Sequence, residues 1–127
     1  MSKTTNKENL IEINKPWGFD DDQSITVFDK KYNIHAAVTL ARDVEVKELL
    51  IEDMYISYKS PCDGSLRSFM EHVKSVNEAD LEYPILLNED GYIIDGRHRL
   101  AKAILTGCKT IKSKRFKKDP SPCYIWV

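Results

Sequence analysis

At 127 residues, with 42% apolar and 31% charged residues and a formal net charge of −1, the chain fits one soluble domain that buries a modest core without staples. No apolar run approaches the roughly 18 to 20 residues of a membrane span, and Met1 to Asn9 lacks the apolar segment of a secretion signal. The expectation is a disordered tail over 1–9, a single domain over 10–127, no membrane association and a cytoplasmic setting. Cys62, Cys108 and Cys123 stand far apart without Cys-x-x-Cys spacing, which argues against a disulfide framework and a zinc site.

Leu10 to Ile13 and Ile25 to Phe28 read as short strands, separated by a Lys-Pro-Trp-Gly turn and the acidic run Asp20 to Asp22. Tyr32 to Leu40 fits either the second strand of a hairpin turning at Asp29 to Lys31 or a short helix. Val44 to Leu49 predicts a strand leading into a loop from Glu52 to Gly64, and loops of that length are often functional. Ser65 offers an N-cap, and Leu66, Phe69, Met70, Val73 and Val76 form a helical apolar stripe ending near Asn77, which predicts that this stripe enters the core. Tyr83 to Leu87 is the next strand.

Tyr92 to Gly107 joins a buried strand, a tight glycine turn and a basic helix start. Tyr92, Ile93 and Ile94 are strand formers after the Asn88-Glu89-Asp90-Gly91 turn, and Asp95-Gly96 breaks the strand where a helix can begin. Leu100, Ala101, Ile104 and Leu105 recur at helical spacing, and Gly107 sits where a left-handed C-cap is expected. Thr110 to Phe116 closes the series as a strand. This order predicts an α+β fold, a small mixed sheet with helices packed on it.

Charge is unevenly distributed. Arg97 to Lys118 holds nine Lys or Arg and no acid, which leaves ten positive and twenty negative residues elsewhere, a remainder of −10. A basic face with attraction for polyanions follows. Lys112 to Lys118 also fits a solvated edge strand, where lysine discourages strand-to-strand pairing. In the first turn of the expected helix, Arg97, His98 and Arg99 accompany backbone N–H groups that already favour an anion, and a guanidinium adds a planar fork for phosphate or carboxylate. A nucleotide or another phosphate is the ligand this predicts.

The block Ile94-Asp95-Gly96-Arg97-His98-Arg99-Leu100-Ala101, with Tyr83-Pro84-Ile85-Leu86-Leu87 before it and Ala103 and Gly107 after it, resembles the N-terminal domain of ParB-type partition proteins and its relatives, sulfiredoxin and the free serine kinases. The resemblance covers about 44–116. It implies a ParB/sulfiredoxin-like fold in which strand, Gly-x-x-Arg and helix bind the phosphates of ATP, CTP or ADP. Sulfiredoxins carry Gly-Cys-His-Arg, and Arg97 fills the position of their cysteine, which argues against sulfinic acid reduction. Partition proteins carry Gly-Glu-Arg-Arg. The acid is missing here, as are the helix-turn-helix and dimer domains of full-length partition proteins. The serine kinases carry Asp-Gly-His-His-Arg, which differs from Asp95-Gly96-Arg97-His98-Arg99 at one position and is the nearest of the three.

With ATP or CTP on the helix start, the resemblance implies that Gly96, Arg97, His98 and Arg99 hold phosphates. Arg97 would stabilise charge during transfer or hydrolysis, and His98 would donate to a phosphate oxygen. Asp95 would hold Mg²⁺ or orient a hydroxyl, and it fits equally an N-cap of the helix. In the serine kinases a glutamate from the early region serves catalysis, which suggests Glu52 here; Glu52 and Asp53 also fit exposed loop acids. Ser65 and Arg67 would cap the second helix or touch phosphate, and His35 and His72 read as surface or structural residues. An alternative is a stand-alone ParB-like DNA-binding or nuclease-like protein of a phage or mobile element, with Lys109, Lys112, Lys114 and Arg115 tracking a nucleic-acid backbone. Another is a catalytically inactive copy that binds a protein partner through Tyr124-Ile125-Trp126-Val127.

Overall fold

The computed structural model describes residues 24–56 and 64–127. Among these residues the class is α+β, with two small sheets and three α-helices. In chain order the elements are β1 (Ser24–Val27), β2 (Lys30–Asn33), α1 (Ile34–Leu40), β3 (Lys47–Leu50), α2 (Leu66–Glu78), β4 (Ile85–Leu87), β5 (Ile93–Asp95), α3 (Arg97–Leu105), β6 (Thr110–Arg115) and β7 (Tyr124–Trp126), with 3-10 turns at Ile51–Asp53 and Ser121–Cys123. The expected tail over 1–9, the strand at Leu10 to Ile13 and most of the loop before Gly64 lie outside the described residues. The chain divides into two compact units, Met1–Arg42 with Asp119–Val127, and Asp43–Lys118.

In the first unit β2 is the central strand of an antiparallel sheet, with β1 on one side and β7 on the other. The hairpin turns at Phe28 and Asp29, one residue earlier than expected, with Phe28 in the left-handed region at φ 55°. Both readings of Tyr32 to Leu40 are realised, because Asn33 ends β2 and caps α1: its Oδ1 accepts from the Ala36 N–H at 2.7 Å. Tyr32 and Asp119 are buried, and Asp119 Oδ2 accepts from the Tyr32 hydroxyl at 2.5 Å and from Lys30 Nζ at 3.0 Å. A buried carboxylate needs such partners to offset its lost hydration. The Lys30 ammonium also lies 4.4 Å from the Tyr124 ring centroid and 5.0 Å from that of Trp126. The C-terminal aromatic segment thus pairs with β2 of its own chain.

The second unit carries a four-stranded mixed sheet in the order β3-β6-β4-β5. β6 is antiparallel to β3 and parallel to β4, and β4 is antiparallel to β5. Ile85, Leu87 and Ile111 from the sheet meet Leu100 and Ala103 from α3, with Leu49, Ile51, Met54, Leu81 and Ile93 around them. Each large side chain fully buried there contributes about 1.5–3 kcal/mol. Two expectations are corrected. β6 is an interior strand, hydrogen-bonded on both sides, so its lysines do not guard an edge; Ile111 and Ser113 point to the buried side and alternate with Lys112 and Lys114. The apolar stripe of α2 does not enter the core either: Leu66 is 75% exposed, Phe69 54% and Met70 55%. Of the stripe only Val73 and Val76 are half-buried, as are Ser68, His72, Ser75 and Ala79.

Candidate functional site: the junction of β5 and α3

β5 ends at Asp95, and the chain turns into α3 through Gly96, which sits at φ 107° and is the helix N-cap. The cap is therefore Gly96 and not Asp95. Glycine is needed twice over, because the backbone is left-handed and a Cβ would meet Ile85 Cγ2 at 2.6 Å. Since glycine has no side chain to cap with, α3 starts with no side-chain cap, unlike α1 and α2, whose caps are Asn33 and Ser65. The Leu100 N–H closes the first turn on Gly96 O at 2.9 Å. The N–H groups of Arg97, His98 and Arg99 have no acceptor among the described residues. Three donors and the positive end of the helix dipole are thereby directed outward.

The two arginines have different roles. Arg99 folds back one turn, donating from Nη1 to Pro84 O at 2.7 Å and from Nη2 to Asp95 Oδ2 at 2.9 Å, and so ties the helix start to the entry of β4 and the end of β5. Arg97 is exposed and has no hydrogen-bond or ion-pair partner among the described residues. Partial desolvation lowers its pKa, while the nearby Asp95 charge acts in the opposite direction. An arginine stays charged under either influence, so Arg97 is the cation available at this junction.

His98 meets His72, which reads from sequence as a surface or structural residue. The His98 Nε2 lies 2.8 Å from Nδ1 of His72 on α2, with the rings tilted at 42°. His98 is held below its ordinary pKa by burial first, then by the charges of His72, Arg97 and Arg99, against the pull of Asp95. Lys102, one turn further along α3, donates to the carbonyls of Asn77 at 3.0 Å and Ala79 at 2.7 Å, satisfying the C-terminal end of α2 with a cation. His98 facing His72 and Lys102 facing Asn77 and Ala79 mean that α2 and α3 run in the same general direction. The first turns of α2, with Phe69 one turn before His72, therefore extend past the start of α3.

Asp95, Gly96, Arg97, His98 and Arg99 thus come together at one junction. Glu52 does not join them: it is exposed in the 3-10 turn after β3, the edge strand opposite β5, and the sheet's strand spacing is about 4.8 Å. Ser65 caps α2 by accepting from the Ser68 N–H at 3.1 Å, and Arg67 pairs with Glu71 at 3.5 Å on the surface. His35 is exposed on α1. The basic residues of β6 are largely committed. Lys112 donates to Glu82 Oε1 at 2.9 Å, a hydrogen bond that raises its pKa, and Arg115 donates to the Glu89 carbonyl at 2.7 and 3.2 Å. Lys112 and Lys114 face one side of the sheet and Arg115 the other, and Lys109 precedes the strand, its carbonyl accepting from the Ile51 N–H.

For Mg²⁺ the donor set is narrow. Asp95 commits Oδ2 to Arg99, and no group of three or more His, Cys, Asp or Glu able to hold a metal occurs among the described residues. Magnesium would have to bind chiefly through a nucleotide's own phosphate oxygens, a usual arrangement for this ion. A broad concavity of about 1220 Å³, bordered by Asp53, Tyr55, Glu89, Tyr92, Arg115 and Lys118, contains none of the junction residues and mixes charges of both signs.

His72 had a signal in the sequence: it stands three residues after Phe69 and four before Val76, next to the stripe rather than opposite it. Compared with protein families, with curated proteins and with solved structures, this chain matches none.

Proposed function

We propose that the start of α3 binds the phosphates of a nucleoside triphosphate of the ATP or CTP kind, with Mg²⁺, and that the bound nucleotide is hydrolysed or its terminal phosphoryl group transferred. The observation that carries this reading is the pairing of an uncapped helix start with an uncommitted guanidinium. Three outward N–H groups have no acceptor among the described residues, and Arg97 beside them has no partner there. That combination suits anion recognition. Phosphoryl transfer asks the protein chiefly for positioning and charge neutralisation, which the N–H groups and Arg97 supply together. Arg99 supports the site indirectly, by fastening its backbone to Pro84 and Asp95. The exposed Phe69 on the overhanging part of α2 offers a nucleobase an aromatic face, which favours a nucleotide over a simple phosphate.

Calorimetric titration with ATP, CTP, GTP and ADP in the presence of Mg²⁺ tests the reading. The expected result is nucleotide binding that weakens at least about tenfold in Arg97→Ala, since hydrogen bonds to charged groups are worth about 1.5–3 kcal/mol. Inorganic tripolyphosphate should compete, and Phe69→Ala should weaken nucleotide more than tripolyphosphate. No binding by the folded wild type refutes the site.

A further inference from the structure

We infer that His98 and His72 form a proton relay for nucleotide hydrolysis at the α3 start, with Nδ1 of His98 as the base that deprotonates the attacking water and His72 as the positioning residue that receives the displaced proton. This rests on the nucleotide reading above and supplies the general base that reading lacks.

The geometry carries it. With Nδ1 of His72 and Nε2 of His98 at 2.8 Å, one ring donates and the other accepts, so the pair holds at most one extra proton while the bond persists. When Nε2 of His98 donates, its Nδ1 keeps a lone pair, and that atom has no hydrogen-bond partner among the described residues. The charged groups facing His98 are Asp95 at the end of β5, Arg97 and Arg99 on its own helix, and His72 across on α2. Two guanidiniums against one carboxylate, itself paired with Arg99, disfavour a positive charge on this ring. A lone histidine here would be a poor proton acceptor. Coupled to His72, it can take a proton on one nitrogen and release another from the opposite nitrogen, so the charge appears on α2 and not between the arginines.

The step balances. The water oxygen bonds to the terminal phosphorus as its O–H bond breaks, and the proton goes to Nδ1 of His98. The proton on Nε2 of His98 crosses to Nδ1 of His72, and the bond from the terminal phosphorus to the bridging oxygen breaks, releasing a nucleoside diphosphate and phosphate. His98 ends neutral in the opposite tautomer, His72 ends as imidazolium, and nothing is oxidised or reduced.

The test uses the full chain with ATP or CTP and Mg²⁺, measuring binding by calorimetry and hydrolysis by phosphate release across pH. His72→Asn retains a hydrogen-bonding group near the position of Nδ1 but cannot accept a proton. Its nucleotide affinity is expected to match wild type, while its hydrolysis rate falls on the order of 100-fold, the lower end of what acid–base catalysis supplies, and its pH profile changes shape. Nitrogen NMR of the wild type is expected to find the proton of neutral His98 on Nε2. The relay is overturned if bound nucleotide is not hydrolysed, if His72→Asn keeps the rate within about twofold and the pH profile unchanged, or if His98 carries its proton on Nδ1. Absence of nucleotide binding by the wild type removes the nucleotide reading and the relay together, a result distinct from binding with unaffected hydrolysis.

Discussion

Gly96 is seated directly on Ile85: a Cβ at Gly96 would stand 2.6 Å from Cγ2 and 2.9 Å from Cβ of that buried side chain. The contact joins the start of α3 to the first residue of β4, and it holds the outward N–H groups at a fixed height over the sheet. Gly96→Ala would add a left-handed backbone penalty of about 1–2 kcal/mol to an overpacking cost of about 1–3 kcal/mol. The variant should lose roughly 2–5 kcal/mol of stability in urea unfolding. A midpoint equal to wild type would mean that the junction is not packed this way.

Arg97 and Arg99 should separate in a stability measurement. Arg99→Ala removes two charge-assisted hydrogen bonds and leaves the partly buried Asp95 without its cation, so a loss of about 1.5–3 kcal/mol is expected. Arg97→Ala removes no hydrogen bond to any described residue and should leave the unfolding free energy within about 0.5 kcal/mol of wild type. Equal destabilisation by the two substitutions would contradict this division of roles.

The lowered pKa of His98, caused by burial and then by His72, Arg97 and Arg99, fixes the sign of a pH dependence. Below the ordinary value of 6.5 the unfolded chain takes up a proton that folded His98 resists, so folding stability declines as pH falls through that value. Urea midpoints at about pH 7.5 and about pH 5.5 should differ more for the wild type than for His98→Gln. A variant that retains the full pH dependence would assign it to other groups.

Cys123 is buried, and burial, followed by the charge of Asp119, pushes its thiol up to about 11. Cys108 is exposed. Iodoacetamide at about pH 8, read by peptide mapping, should label Cys108 and spare Cys123 until the protein unfolds, since the thiolate is the reacting species. Because the folded pKa is raised, this thiol's contribution to stability is present below its ordinary value of 9.0 and is lost as pH rises towards about 11. Prompt labelling of Cys123 in the folded protein would contradict its burial.

The sequence by itself determined the features whose causes lie within one turn of chain. Gly96 and Gly107 bracket α3 as expected; the N–H groups of Gly107 and Cys108 bond to Ile104 and Ala103 O, a closure that the left-handed Gly107 permits. Ser65 as the cap of α2, Asn88-Glu89-Asp90-Gly91 as a turn held by Asn88 Oδ1, and the α+β class follow from the same local rules. Only the tertiary structure decided which side of α2 faces inward. Apolar spacing pointed to Leu66, Phe69, Met70, Val73 and Val76, but with His72 bonded to His98 and Lys102 gripping the end of α2, only Val73 and Val76 of that stripe are half-buried and the other three are exposed. It also made β6 interior and committed Arg99 to Pro84 while leaving Arg97 open. These outcomes depend on pairs from 15 residues apart, as for Arg99 and Pro84, to 66 apart, as for Ser113 and Lys47, where periodicity carries no information and the packing of one element on another selects the partner.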